Sequence, residues 1–242
     1  MIHPNPIAAL RDCSRRLVSA KSGLALMEFA LTLPLVLTVG GYGIELSSVA
    51  LTNMRISQYA LNLADTTSRL GLDAGGGVIQ LREADVNDAF QGIRLASTAL
   101  DLATNGRVTL SSLENTKQTY DTAYVQRIHW QRCFGKMSGV NYDSSYGTTK
   151  ATDGTSNTAA NAGTVTSAGM GPVGGKVSAP QDNAVMFVEI NYNYKPLFGS
   201  MFVAPQVIRY TGSLLVRDNR DYRQIYNPTP AATASTCDKY TS

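Results

Sequence analysis

The 242 residues leave room for one membrane span and one further domain. Charged residues make up only 16% of the chain, and the net charge is +3, much of it near the start. That balance, with no basic cluster interleaved with aromatics after it, does not point to nucleic acid as a partner.

Residues 1–23 read as a short cytoplasmic leader. Arg11, Arg15, Arg16 and Lys21 stand there against the single acid Asp12. Pro4 and Pro6 oppose an early helix, and His3 reads as a solvated side chain. From Leu24 to Ile44 the only charge is Glu28. A helix rising about 1.5 Å per residue crosses roughly 30 Å over that run, the thickness of a bilayer's hydrocarbon core. Residues 24–45 are therefore expected to form a transmembrane helix. The run exceeds the ~7–15 apolar residues of a cleavable secretory signal, and no small-x-small site closes it. The positive flank places the N-terminus in the cytoplasm and the rest of the chain outside. Cys13 then lies on the reducing side and stays a thiol.

Glu28 is the odd residue of the span, because a carboxylate deep in lipid costs roughly 2.5–3.5 kcal/mol. A cut between Gly23 and Leu24 would make Glu28 the fifth residue of the mature chain and give Leu24 a new α-amine. The amine of one copy, or of a companion subunit, then pairs with a neighbour's carboxylate. A basic leader, Gly before the cut, Glu fifth after it and an apolar helix resemble a prepilin signal. The same residues also describe a signal anchor that is never cut. Pro34 removes a backbone bond and favours a kink; Gly40 and Gly43 lack the four-residue spacing of close-packed membrane helices.

The resemblance extends along the chain. Gly23-Leu24-Ala25-Leu26-Met27-Glu28-Phe29-Ala30-Leu31-Thr32-Leu33-Pro34 resembles the opening of the TadE-like family of Tad (Flp) pilus assembly. Gly43-Ile44-Glu45 matches the glycine and second acid that follow in that family, and Gln58–Asp65 its Ala-rich helical segment. Phe29 departs from the Tyr of the major Flp pilins, and the chain is far longer than theirs. The resemblance thus implies a minor, pseudopilin-like component. It implies an inner-membrane location, other pilin-like subunits, a prepilin peptidase and the Tad assembly platform as partners, and assembly roles for Glu28, Phe29, Pro34 and Glu45.

Residues 46–104 are expected to form a helical stalk. Val49, Leu51, Ile56, Tyr59, Leu63 and Leu70 recur at roughly helical spacing, and Gly71 with Gly75-Gly76-Gly77 stops the run. A second amphipathic helix spans about Glu83–Ala103, with Val86, Phe90, Ile93, Leu95 and Leu100 as a stripe for core packing. Residues 105–242 read as β-rich. Arg107–Leu113, Ala123–Phe134, Asn183–Tyr194 and Gln206–Val216 carry the β-branched and aromatic enrichment of strands. The fold class is α+β: a long N-terminal helix, a stalk and a pilin-like antiparallel sheet. Residues 138–181, rich in Gly, Ser, Thr, Ala and Asn, read as a long flexible loop. The tail after Tyr226 reads as loose.

Catalytic patterns are scarce. His129 is the only histidine beyond the span, so no His-based metal cluster assembles, and neither HExxH nor GxSxG occurs. Gly169-x-Gly171-x-x-Gly174 fits a dinucleotide pattern by letters only, since it contains Pro172 and lies in low complexity. Gly175-Lys176 is followed by Val177, which defeats a phosphate loop. Asp218 and Asp221 beside Arg217 and Arg220 read as a solvated turn. No enzymatic activity and no cofactor are expected.

Cys133 and Cys237 both face an oxidising space if exported, and two cysteines allow one internal connectivity; free thiols or an intermolecular bridge are the alternatives. Gln131-Arg132-Cys133-Phe134-Gly135 resembles the Arg-Cys-x-Gly element of TadE-like exported parts. A pilus-assembly component is the expectation from these residues; a membrane-anchored adhesin that binds through the flexible loop and sheet edges is the alternative.

Overall fold

A computed structural model describes residues 22–241. The leader residues 1–21, with Cys13 and His3, lie outside the described residues. The chain divides into two compact units: the residues through Ser48 with Pro196–Ala204, and Val49–Lys195 with Pro205 onward.

Helix α1, Ser22–Thr67, is one 46-residue helix that runs through Pro34. The Thr38 hydroxyl donates to the Pro34 carbonyl at 2.7 Å. Every residue from Gly23 to Gly40 is exposed. From Glu45 a buried stripe begins and continues through Thr52, Ile56, Ala60, Leu63 and Thr67, the three- and four-residue spacing of one helical face.

In the second unit the later part of α1 packs on a sheet. Gly71 and a glycine turn lead through a two-stranded ribbon, β1 (Leu72–Asp73) and β2 (Ile79–Gln80). Helix α2, Glu83–Ala96, follows. It starts where Asp85 accepts the Arg82 amide (2.9 Å) and guanidinium. It ends seven residues short of the expected Ala103: a 3-10 turn, Thr98–Leu100, and left-handed Asp101 (φ 46°) separate it from a short helix α3, Leu102–Asn105.

The main sheet is antiparallel, in the order β5-β4-β3-β6-β7, with β3 Gly106–Thr116, β4 Val125–Phe134, β5 Thr164–Val165, β6 Asn183–Tyr194 and β7 Gln206–Leu215. The four long strands fall within a few residues of the expected ones. The register of β3 on β4 slips between Ser112 and Leu113, leaving His129 as the extra residue of a bulge.

Both faces of the sheet are covered. On one, Val108, Leu110, Met186, Val188 and Ile190 share a core with Ile56, Ala60 and Leu63 of α1 and Val86 and Phe90 of α2. Gly212 sits on this face; a Cβ there would stand 3.0 Å from the Ala60 carbonyl, so glycine lets the helix backbone lie directly on β7. On the other, Leu113, Ile128, Val185 and Phe187 pack with Met170 and Ala179.

That second layer corrects the sequence reading of residues 138–181. The segment is laid over the sheet and held by polar side chains that the strands present. Glu189 accepts the Ser144 hydroxyl and the Ser145 amide, Gln131 spans the Thr149 amide and Gly147 carbonyl, and Asn191 donates to the Tyr142 carbonyl. Burial pushes the Glu189 carboxyl above its usual range, against the pull of its two serine donors.

The tail is likewise held. The Cys133 amide donates to Ser235 O (2.7 Å) and the Gly135 amide to Thr241 O (2.8 Å), which covers the β4 edge beyond β5. Arg107, 1% exposed, donates to the carbonyls of Gly135, Cys237 and Lys239 and stacks on the Tyr240 ring at 4.3 Å. A Cys133–Cys237 disulfide closes the connection. In the chain-entropy account, a loop of roughly 100 residues corresponds to about 4–5 kcal/mol.

Arg220 corrects another expectation, since it is buried instead of solvated. It donates to Thr67 O (3.0 Å) and Leu70 O (2.9 Å) and pairs with Asp218. It supplies the positive charge that the last turn of α1 lacks.

Among the described residues, the most deeply buried ion pair joins the layers. Arg132 of β4 is 0% exposed and Glu83, the first residue of α2, 2%. Arg132 Nε lies 2.9 Å from Glu83 Oε2, its Nη2 meets the other oxygen, and Nη1 donates to Gln131 O at 2.7 Å. Breaking such a pair from one side strands a buried charge, so Arg132→Ala should cost about 3–5 kcal/mol of unfolding free energy. The double change Glu83→Leu with Arg132→Met should recover most of that loss. Denaturant unfolding of the detergent-solubilised chain measures both.

Candidate functional site

Two features merit attention: the buried polar string around His129 and the apolar helix with the loop that joins its unit.

The string is built on the β4 bulge. Ser112 Oγ donates to Glu114 Oε1 at 2.7 Å, and His129 Nδ1 lies 2.8 Å from Glu114 Oε2. All three residues are buried. A hydrolytic triad sets the imidazole between hydroxyl and acid. Here the acid stands in the middle, so the string gives the Ser112 hydroxyl no base. His129 Nε2 is buried with no hydrogen-bond partner among the described residues. Burial pulls the imidazole pKa down, but the Glu114 charge and hydrogen bond outweigh it, leaving the value raised. The arrangement braces a bulge with charge.

The remaining chemical candidates stay apart. Among the described residues, no group of three or more His, Cys, Asp or Glu is placed to hold a metal ion. Gly169, Gly171 and Gly174 shape a turn that closes a Met170–Val177 bridge, with neither a long strand before it nor a helix after it.

The apolar helix carries the other expected residues. Gly23, Leu24, Glu28, Phe29 and Pro34 lie along the fully exposed stretch of α1. Glu28 makes no side-chain hydrogen bond or ion pair among the described residues. Leu24, Leu26, Leu31 and Leu35 are 63–74% exposed, and none of the apolar window is buried within the chain. This is the one helix among the described residues long and apolar enough to cross a membrane.

Glu45, at the far end of the uncharged run, differs from Glu28. It is 0% exposed. Its Oε1 accepts the Leu197 amide (3.2 Å) and its Oε2 the Phe198 amide (3.1 Å). The Phe202 ring lies against the helix one turn earlier, 2.9 Å from where a Gly41 Cβ would stand and edge-on to Tyr42. Phe198 stacks edge-on to Phe202 in turn. The loop so pegged, Pro196–Ala204, links β6 to β7 and belongs to the same compact unit as the early part of α1. Sequence reasoning placed Glu45 among assembly residues and gave this loop no role. A signal was present: Pro196-Leu197-Phe198-Gly199-Ser200-Met201-Phe202-Val203-Ala204 holds no charge where a strand connection is normally polar.

Comparison with family models, curated proteins and solved structures finds no match to this chain.

Two outcomes follow from these geometries. A raised folded-state pKa gives His129 a contribution that is complete below its unfolded value, about 6.5, and lost as pH rises through the folded one. The thermal midpoint of the wild-type chain should therefore fall from pH 6 to 9 more steeply than that of His129→Gln. Glu45→Ala should free two backbone amides. A hydrogen bond to a charged group is worth about 1.5–3 kcal/mol, so exchange at Leu197 and Phe198 should quicken roughly ten- to hundredfold. Hydrogen–deuterium exchange mass spectrometry reads that change.

Proposed function

We propose that this chain is a single-pass inner-membrane component of a Tad-type pilus or related secretion machine, similar to TadE-like pseudopilins, and that it works by assembly without catalysis. The observation that carries the reading is the stretch from Leu24 to Gly40. It is apolar and exposed on every side, and its single carboxylate, Glu28, has no partner among the described residues. Such a surface needs lipid and neighbouring helices, and an intramembrane carboxylate needs a cation. On this reading the basic leader stays in the cytoplasm and the sheet domain is exported to the periplasm or cell surface. A prepilin peptidase cuts between Gly23 and Leu24, and the new amine of a neighbouring pilin-like helix pairs with Glu28. The Arg132-Cys133-Phe134-Gly135 element supports the same reading by its combined roles: an ion pair to α2, a disulfide to the tail, and a turn at φ 110° where any Cβ would meet Gly106 O at 2.3 Å.

Removal of the carboxylate is the test. Glu28→Ala should insert as well as wild type, because a costly charge is gone. Pilus assembly should fall, because the partner's amine is left unpaired. Complementation of a strain lacking this gene, with membrane fractionation alongside, decides it. Normal piliation by a stably inserted Glu28→Ala chain overturns the reading.

A further inference from the structure

The loop Pro196–Ala204 has a composition and a placement that its role as a strand connection does not explain. Its exposed Leu197 (63%), Phe198 (44%) and Met201 (77%) make an apolar tip without a charge. Its position along α1 is fixed by Glu45, through the Leu197 and Phe198 amides, and by the Phe202 ring at Gly41 and Tyr42. Gly41 and Tyr42 lie in the last turn of the uncharged run that begins after Glu28, and Glu45 ends it.

We propose that this loop is a membrane-seated element: the side chains of Leu197, Phe198 and Met201 enter the bilayer interface at the C-terminal end of the apolar helix. The inference rests on the reading of that helix as a membrane span. Three features favour lipid as the occupant. The helix residues that hold the loop stand where the hydrocarbon core ends if Leu24–Ile44 crosses it. Backbone at that depth must have its amides satisfied within the protein, and Glu45 accepts two of them. The exposed tip belongs to the same unit as the exposed Ile44 (56%) and Leu46 (45%), which flank Glu45 on the helix, and it adds no charge to select a protein partner. Tyr42, with an apolar ring and a polar hydroxyl, favours the same zone.

Spin labelling of the full chain in phosphatidylcholine–phosphatidylglycerol vesicles tests this. A nitroxide is placed at Met201→Cys, and separately at Leu197→Cys, each in a Cys13→Ser background with the disulfide intact. Val36→Cys reports on the span and Val140→Cys, at a position 91% exposed, on water. Collisions with oxygen, which concentrates in lipid, are compared with those of a water-soluble nickel chelate. At positions 201 and 197 oxygen should dominate several-fold, as at 36, with the opposite at 140. Nickel dominance at 201 and 197, with 36 in lipid, overturns the loop proposal and leaves the span standing. Nickel dominance at 36 as well overturns both. Immobilised labels shielded from both reagents at 201 and 197 mean a protein partner covers the tip, which also overturns it.

Discussion

The folded domain depends on a guanidinium that has no access to water. Arg132 lies near the C-terminal end of β4 with Glu83 as its counter-ion, and both are within 2% of complete burial. A pair in that position contributes little through its charges alone, because desolvation opposes the attraction. What it does fix is geometry: the first turn of α2 has one place on the sheet where Glu83 is neutralised. The strand's alternation then assigns neighbouring jobs. Cys133 points to the opposite face and takes the tail, while Gly135 turns the chain where a side chain would strike β3. Three layers thus meet within four consecutive residues.

A sheet covered on both sides poses a second problem, since its strands cannot alternate simply between oil and water. Here one face is apolar and meets helices; the other carries Thr109, Ser111, Gln131, Glu189 and Asn191 beside a smaller apolar plug. The polar side chains substitute for water toward the main chain of residues 138–181. Buried groups of this kind are tolerated because each finds a partner. At the bulge His129 Nδ1 pairs with Glu114, although His129 Nε2 has no partner among the described residues.

What the sequence disclosed follows from periodicity. The helical recurrence of Ile56, Tyr59 and Leu63 and the alternation of Val185 with Phe187 each use an interval that suits one secondary structure, and the strands emerged within a few residues of their bounds. The misread segments are those held through main-chain atoms. The partners of Gln131 and Asn191 in the 138–181 layer are amides and carbonyls, which every residue has and no pattern marks. The tail is fastened by the carbonyls of Ser235 and Thr241, and the Thr67 and Leu70 carbonyls that Arg220 binds lie some 150 residues before it. Of the candidate site residues, Glu28 was conspicuous because a charge in an apolar run is anomalous by composition. Glu45 was visible as an acid, but its engagement with two loop amides was not.

The Cys133–Cys237 link also changes what the polypeptide is as a covalent object. Residues 133–237 form a closed ring that contains β5, β6 and β7, whereas β3 lies outside it and is joined to β6 only by hydrogen bonds. A protease that severed the outer layer anywhere from 138 to 181 would open the ring without releasing a fragment, since both cut ends would stay tied through sulfur. Damage to the most loop-like part of the surface would therefore leave the chain's pieces and strand pairing in place, and only reduction would let the pieces part.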